Sequence, residues 1–215
     1  MSLRVEQHSL GPMGTNCYLV RADAAATEAA VVDPSGDATE LRLRLAQVGA
    51  RCAGILVTHG HWDHLLGVAD LAEGTGAPVY MSAGERHLLE SPAGVTPAGV
   101  SLRPYVPDVV LEGGETIDVA GITFDVLSDP GHSPAHLAYQ SDGSLFSGDV
   151  LFAGSVWRTD LPGGAWEQLV GSIRSLLEAY PPGTVVYPGH GPATTLGDEL
   201  ARNPFLGELR TELAG

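Results

Sequence analysis

The chain has 215 residues, 44% apolar and 17% charged, which is enough to bury a sizeable core and is expected to make one domain over 1–215. Its formal net charge of −15 repels phosphate backbones and anionic lipid headgroups, so nucleic-acid and membrane partners are not expected. Two cysteines make no disulfide framework, no stretch reaches the ~18 apolar residues of a membrane span, and the opening MSLRVEQHSL lacks a signal-peptide core, so a cytoplasmic location is expected, with the oligomeric state left open.

In chain order, residues 16–20 and 29–32 read as short strands, and Asp33-Pro34-Ser35-Gly36 as a turn. Asp37 starts a helix with Leu41, Leu45 and Val48 on one face and Gly49 as its stop. Residues 54–58 form a continuous apolar run, the pattern of a strand covered on both faces, which ends at His59. A helix is expected over 64–73, a strand over 78–81 and a short helix over 83–90. Residues 91–107 are rich in Pro and Gly, carry no period and read as a long loop. Strands follow at 116–119, 122–127, 136–140 and 144–146, then a helix over 165–180 with Trp166, Leu169, Val170, Ile173, Leu176 and Leu177 at helical spacing. A last strand, 185–187, stops just before His190. This order predicts an α+β fold of two sheets packed face to face with helices outside.

The segment Thr58-His59-Gly60-His61-Trp62-Asp63-His64 places four metal-ligand side chains where an apolar strand gives way to a helix. Imidazole nitrogen and carboxylate oxygen suit zinc, iron and manganese. Three further candidates sit in the same way after apolar runs: His132 in Asp129-Pro130-Gly131-His132, Asp149 in Phe146-Ser147-Gly148-Asp149, and His190 in Tyr187-Pro188-Gly189-His190. In each, Gly precedes the candidate and allows close backbone approach. One loop histidine is ordinarily just a polar surface residue, but five of the eight histidines fall in this one pattern.

His-x-His-x-Asp-His, followed by a His, an Asp and a His at increasing distance, resembles the metallo-β-lactamase superfamily over nearly the whole chain. Asn16-Cys17-Tyr18 and Val32-Asp33-Pro34 fall in the family's order. The resemblance implies a four-layer αββα sandwich with two mixed sheets. It also implies one metal on His59, His61 and His132, a second on Asp63, His64 and His190, and Asp149 bridging them. Asp63 and Asp149 are thereby the expected catalytic carboxylates, and Asp33 the acid that braces the metal loop. Two divalent ions, zinc by preference and iron or manganese otherwise, are the implied cofactors.

Within that superfamily, Gly148-Asp149-Val150-Leu151-Phe152 and Arg158-Thr159-Asp160-Leu161-Pro162-Gly163-Gly164, together with Asn203-Pro204-Phe205-Leu206, resemble the short glyoxalase II-like hydrolases. Trp157 and Ala135 depart from that group, standing where Gly is common. Only about 25 residues follow His190, too few for the helical region with which full-length glyoxalase II holds glutathione, so the thiol carrier stays open. The expected reaction is hydrolysis of a small-molecule thioester by metal-activated hydroxide. A thiolate leaving group demands no separate general acid. Arg158 is the candidate for a substrate carboxylate, with an ion pair to Asp160 as the competing role.

Cys17 and Cys52 are expected to be buried, His136 and Trp62 to pack, and His8 and His87 have no assigned role. The main competing activity is a persulfide dioxygenase using one iron on His59, His132 and Asp149. A lactonase is disfavoured by Phe152, where related lactonases have Tyr, and β-lactam hydrolysis by Asp149. RNA processing is disfavoured by the acidic surface, and a non-enzymatic metal module by the complete ligand set.

Overall fold

The structure, a computed structural model, describes residues 3–94, 96–156 and 164–213. The first half builds β1 (Arg4–Leu10), β2 (Thr15–Arg21), β3 (Glu28–Val32), α1 (Ala38–Gln47), β4 (Arg51–Leu56), α2 (Trp62–Leu65), α3 (Val68–Thr75), β5 (Val79–Ser82), α4 (Arg86–Glu90) and β6 (Val109–Leu111). The second half builds β7 (Thr116–Val119), β8 (Ile122–Ser128), β9 (Leu137–Ser141), β10 (Ser144–Gly148), β11 (Leu151–Phe152), β12 (Ser155–Val156), α5 (Trp166–Ala179), β13 (Val185–Pro188), β14 (Thr194–Thr195), α6 (Leu196–Arg202), a 3-10 turn (Pro204–Leu206) and α7 (Gly207–Leu213).

One six-stranded sheet runs β1-β2-β3-β4-β5-β6 and the other β14-β13-β10-β9-β8-β7. Both are mixed. In the first, β1, β2 and β3 are antiparallel and β3 to β6 parallel. In the second, only β10 and β13 are parallel. Three buried clusters define the layers. Leu41, Leu45, Leu65, Leu71 and Leu89 pack helices onto Val31, Ile55 and Met81 of the first sheet. Tyr18, Val32 and Leu56 meet Phe124, Val126, Tyr139 and Phe146 between the sheets. Leu169, Ile173, Leu176 and Leu209 cover Ala138, Leu145 and Val186 on the far side. The result is the expected αββα sandwich.

Local physics explains the boundaries. Asp37 caps α1 through the Thr39 N–H, and Gly49 stands just past its end at φ 68°. β4 spans Arg51–Leu56 rather than 54–58, because Thr58 turns away to donate its N–H to Asp33 Oδ1 at 2.8 Å. The helix expected over 64–73 is two helices, α2 and α3. Between them the Gly67 N–H reaches Pro34 O at 2.7 Å, and a side chain at 67 would strike the Pro34 and Gly36 carbonyls. Trp166 opens α5 and is 46% exposed, while Leu169, Ile173 and Leu176 carry the buried stripe. Among the described residues, no helix is long and apolar enough to cross a membrane.

Phe146 joins the two sheets. It is fully buried, with ring centroids 5.5 Å from Tyr18 and 5.2 Å from Tyr187. Phe146→Ala should cost about 3–5 kcal/mol of unfolding free energy in a urea titration. A change below about 1 kcal/mol would show that this ring does not hold the sheets together.

Candidate metal centre

β8 and β10 both run antiparallel to β9, and β10 runs parallel to β13, so β8, β10 and β13 end at one edge of their sheet. His132, Asp149 and His190 follow those three ends. The loop after β4 brings His59 and His61, and α2 adds Asp63 and His64. Tight backbone contact makes room for the side chains. Gly131 sits at φ 137°, where a side chain would strike the Leu169 backbone, and a side chain at Gly189 would overlap the Asp149 carboxylate.

All seven sequence candidates converge. The ligand atoms of His59, His61 and His132 lie within 4.8 Å of one another, as do those of Asp63, His64 and His190 and those of His59, His64 and Asp149. His132 Nε2 is 2.7 Å from His61 Nδ1 and 3.2 Å from His59 Nε2, and those two are 3.0 Å apart. Asp149 Oδ2 lies 3.6 Å from His64 Nε2, 3.5 Å from His190 Nε2 and 3.7 Å from His132 Nε2. It therefore stands between the two trios.

Three imidazole nitrogens this close cannot all hydrogen-bond to one another, because each nitrogen of a neutral ring is either a donor or an acceptor, so at least one pair is matched in kind. Their spacing approaches the ~3.3 Å edge of a tetrahedron with nitrogens ~2.0–2.1 Å from a metal. His64 Nε2 and Asp149 Oδ1 are buried without a hydrogen-bond partner, which a cation between them resolves. The charges agree. Burial pushes Asp149 up, but the His64 and His190 imidazoles overcome it and hold the carboxyl well below its usual range. Asp63 is likewise pushed up by burial, yet His190, His64 and the Thr15 hydroxyl bring it to about 2. Both acids are thus held in the ionised, metal-binding form. Burial lowers His64, but Asp149 and Asp33 pull it well above the ordinary value, so this position favours positive charge. The donor set fits a divalent metal pair.

The surrounding residues orient these side chains. Asp33 Oδ2 accepts from Thr58 Oγ1 at 2.7 Å and pairs with His64 Nδ1 at 2.9 Å, which turns His64 Nε2 toward the acids. Thr15 Oγ1 donates to Asp63 Oδ2 at 2.6 Å. Asn16 Nδ2 donates to Pro188 O and Gly191 O, both at 2.8 Å, and the Tyr18 hydroxyl donates to Pro188 O at 2.6 Å. These bonds fix the turn that carries His190. His136 is packed as expected, stacked 4.9 Å from His59, but its Nε2 also accepts the Asp149 N–H at 3.2 Å. Sequence reasoning missed the parts played by Thr15, Thr58 and His136, whose partners are distant in the chain. Asn16 was visible only as part of a family motif. Trp62 is half-buried, and Cys17 and Cys52 are buried free thiols. Arg158, Trp157 and Asp160 lie outside the described residues.

Asp33→Asn has one acceptor oxygen where the carboxylate has two, so it can serve the Thr58 N–H or His64 Nδ1 but not both, and its NH2 faces the donor left over. We expect metal retention against a chelator to weaken about 10–100-fold, and unchanged retention would remove Asp33 from the centre. A second prediction concerns Asp129, which ends the approach to His132. Burial pushes its carboxyl up to about 7, and its Oδ2 has no hydrogen-bond partner. The folded chain therefore holds this proton more tightly than the unfolded chain, where the pKa is about 3.9. The stability it contributes is full below about pH 4 and is lost as pH rises toward 7. Asp129→Asn should melt above the parent at pH 8, by about 4 kcal/mol at most, and converge with it near pH 4. Parallel melting curves across that range would contradict the burial argument.

The chain matches the metallo-beta-lactamase superfamily over residues 10–190. A hydroxyacylglutathione hydrolase of Haemophilus influenzae, GloC, is 34% identical over 197 residues, covering 89% of this chain and 92% of that protein. Among solved structures, the BLEG-1 B3 metallo-beta-lactamase superposes with a TM-score of 0.89 at 38% identity, covering 95% of this chain and 100% of that one. TTHA1623 in a di-iron-bound form gives 0.84 at 40% identity, covering 94% and 100%. With its fold, its ligand order and this coverage, the chain belongs to the metallo-beta-lactamase superfamily.

Proposed function

We propose that the protein is a thioester hydrolase acting on small S-2-hydroxyacyl thiol conjugates. In this reading His59, His61 and His132 hold one divalent metal, Asp63, His64 and His190 hold a second, and Asp149 is shared. The observation that carries it is the place of Asp149 Oδ2, 3.5–3.7 Å from nitrogens of both trios. The 34% identity to GloC supports the substrate class. A bound metal pair supplies Lewis acidity toward a carbonyl oxygen and a water of lowered pKa.

The chain's own residues do the rest. Asp63 and Asp149 keep ionised oxygens in a buried place, and Thr15 fixes the direction of the Asp63 carboxylate. His136 holds the Asp149 backbone, and Asp33 fixes the face that His64 presents. Neither cysteine serves as a nucleophile. Burial pushes Cys17 well above the ordinary thiol value and Cys52 to about 11. A thioester suits such a site because its thiolate departs without a proton donor. Arg158 is assigned to a substrate carboxylate, and zinc is the preferred metal, with the di-iron form of TTHA1623 making iron the first alternative.

The likeness to BLEG-1 favours β-lactam hydrolysis as a second reading. Metal-quantified protein should be run on S-lactoylglutathione, on thioesters with other thiol carriers, on a β-lactam and on a persulfide with oxygen uptake followed. We expect turnover of a thioester, and for Asp149→Ala the loss of a metal and of nearly all turnover. Oxygen uptake with one iron per chain, or full activity in Asp149→Ala, would overturn the proposal.

A further inference from the structure

Glu85, the residue before α4, is only 2% exposed, yet the ligand assignment leaves it without a role. Its Oε2 accepts the Gly60 N–H at 2.6 Å, and its Oε1 accepts the Ala135 N–H at 2.8 Å. Gly60 lies between His59 and His61. Ala135 lies in the segment that leads from His132 to His136. A single carboxyl therefore ties together the two loops that bring the three imidazoles into contact. These loops follow strands of different sheets, and their backbones meet where the Leu137 N–H donates to Thr58 O at 2.8 Å. Glu85 adds a second tie beyond that bond, at Gly60 and Ala135. The packing leaves this side chain little freedom. A side chain at Gly60 would overlap Leu88, and one at Gly84 would meet Ala135 Cβ. The turn entering α4 thus lies directly against both loops.

We infer that Glu85 is the positioning residue of the His59, His61 and His132 trio, setting the reach of His132 toward the other two. It is the counterpart of Asp33, which braces the other trio through His64. Each Glu85 oxygen satisfies an N–H that has no helix or strand partner in its own loop. Removing one acceptor leaves a donor unpaired and lets one loop drift from the other. The inference rests on the ligand assignment proposed above.

The test uses the full chain loaded with cadmium, comparing Glu85→Gln with the parent. The amide is the same size but offers an acceptor to only one of the two N–H groups. Cadmium NMR follows each metal position separately, and graded chelator gives metals per chain. We expect two resonances in the parent. In E85Q, the resonance of the three-histidine position should shift, and that ion should be lost about 10–100-fold more readily. The other ion should be held as in the parent. A general loss of stability would weaken both ions together, so parallel loss overturns the inference, as does parental retention of both. If E85Q does not fold, Glu85→Asp is measured in the same way. Its shorter arm cannot span both N–H groups, and the same selective loss is expected. A parent that binds fewer than two ions overturns the ligand assignment itself, and this inference with it.

Discussion

The Asp149 carboxylate governs this structure. It is buried where two trios of candidate ligand side chains approach each other, and its Oδ2 faces imidazoles from both. An isolated carboxylate in such a place is costly, and so is a group of imidazole nitrogens forced together without enough protons to share. Each is the remedy for the other only if positive charge sits between them. A metal pair would supply it and would account for the polar groups tolerated beneath the sandwich edge.

The fold serves that arrangement. The shared direction of β8, β10 and β13 delivers three candidate ligands to one edge, and the loop after β4 with α2 delivers four more from the opposite sheet. The aromatic contacts of Tyr18 with Phe146 and Tyr187 lock the sheets beneath the site. Tyr18 takes part in both layers of the design, since its ring packs in the core and its hydroxyl holds the turn before His190. Stability and chemistry are therefore joined through single residues.

Much of this was legible in the sequence. The seven candidate ligands cluster where apolar runs end, and four of them, His61, His132, Asp149 and His190, directly follow a glycine, a pattern local in the chain. The α1 boundaries followed from Asp37 and Gly49. Other features were not legible, for physical reasons. β1 carries a largely polar, partly exposed side-chain set and exists because it pairs along its length with β2. α6 and α7 are seven-residue helices, too short to show a period. The break between α2 and α3 comes from a carbonyl at Pro34, a long-range contact. Thr15, His136 and Glu85 likewise act through partners that only folding brings near. Ligand chemistry was encoded locally, whereas its support was encoded in topology.

Anomalous diffraction at the metal edge, from crystals grown with zinc, tests the central claim most directly. The account predicts two peaks about 3.5–4 Å apart, one among His59, His61 and His132, the other among Asp63, His64 and His190, with Asp149 Oδ2 between them. A single peak, or two peaks that Asp149 does not reach, would contradict it.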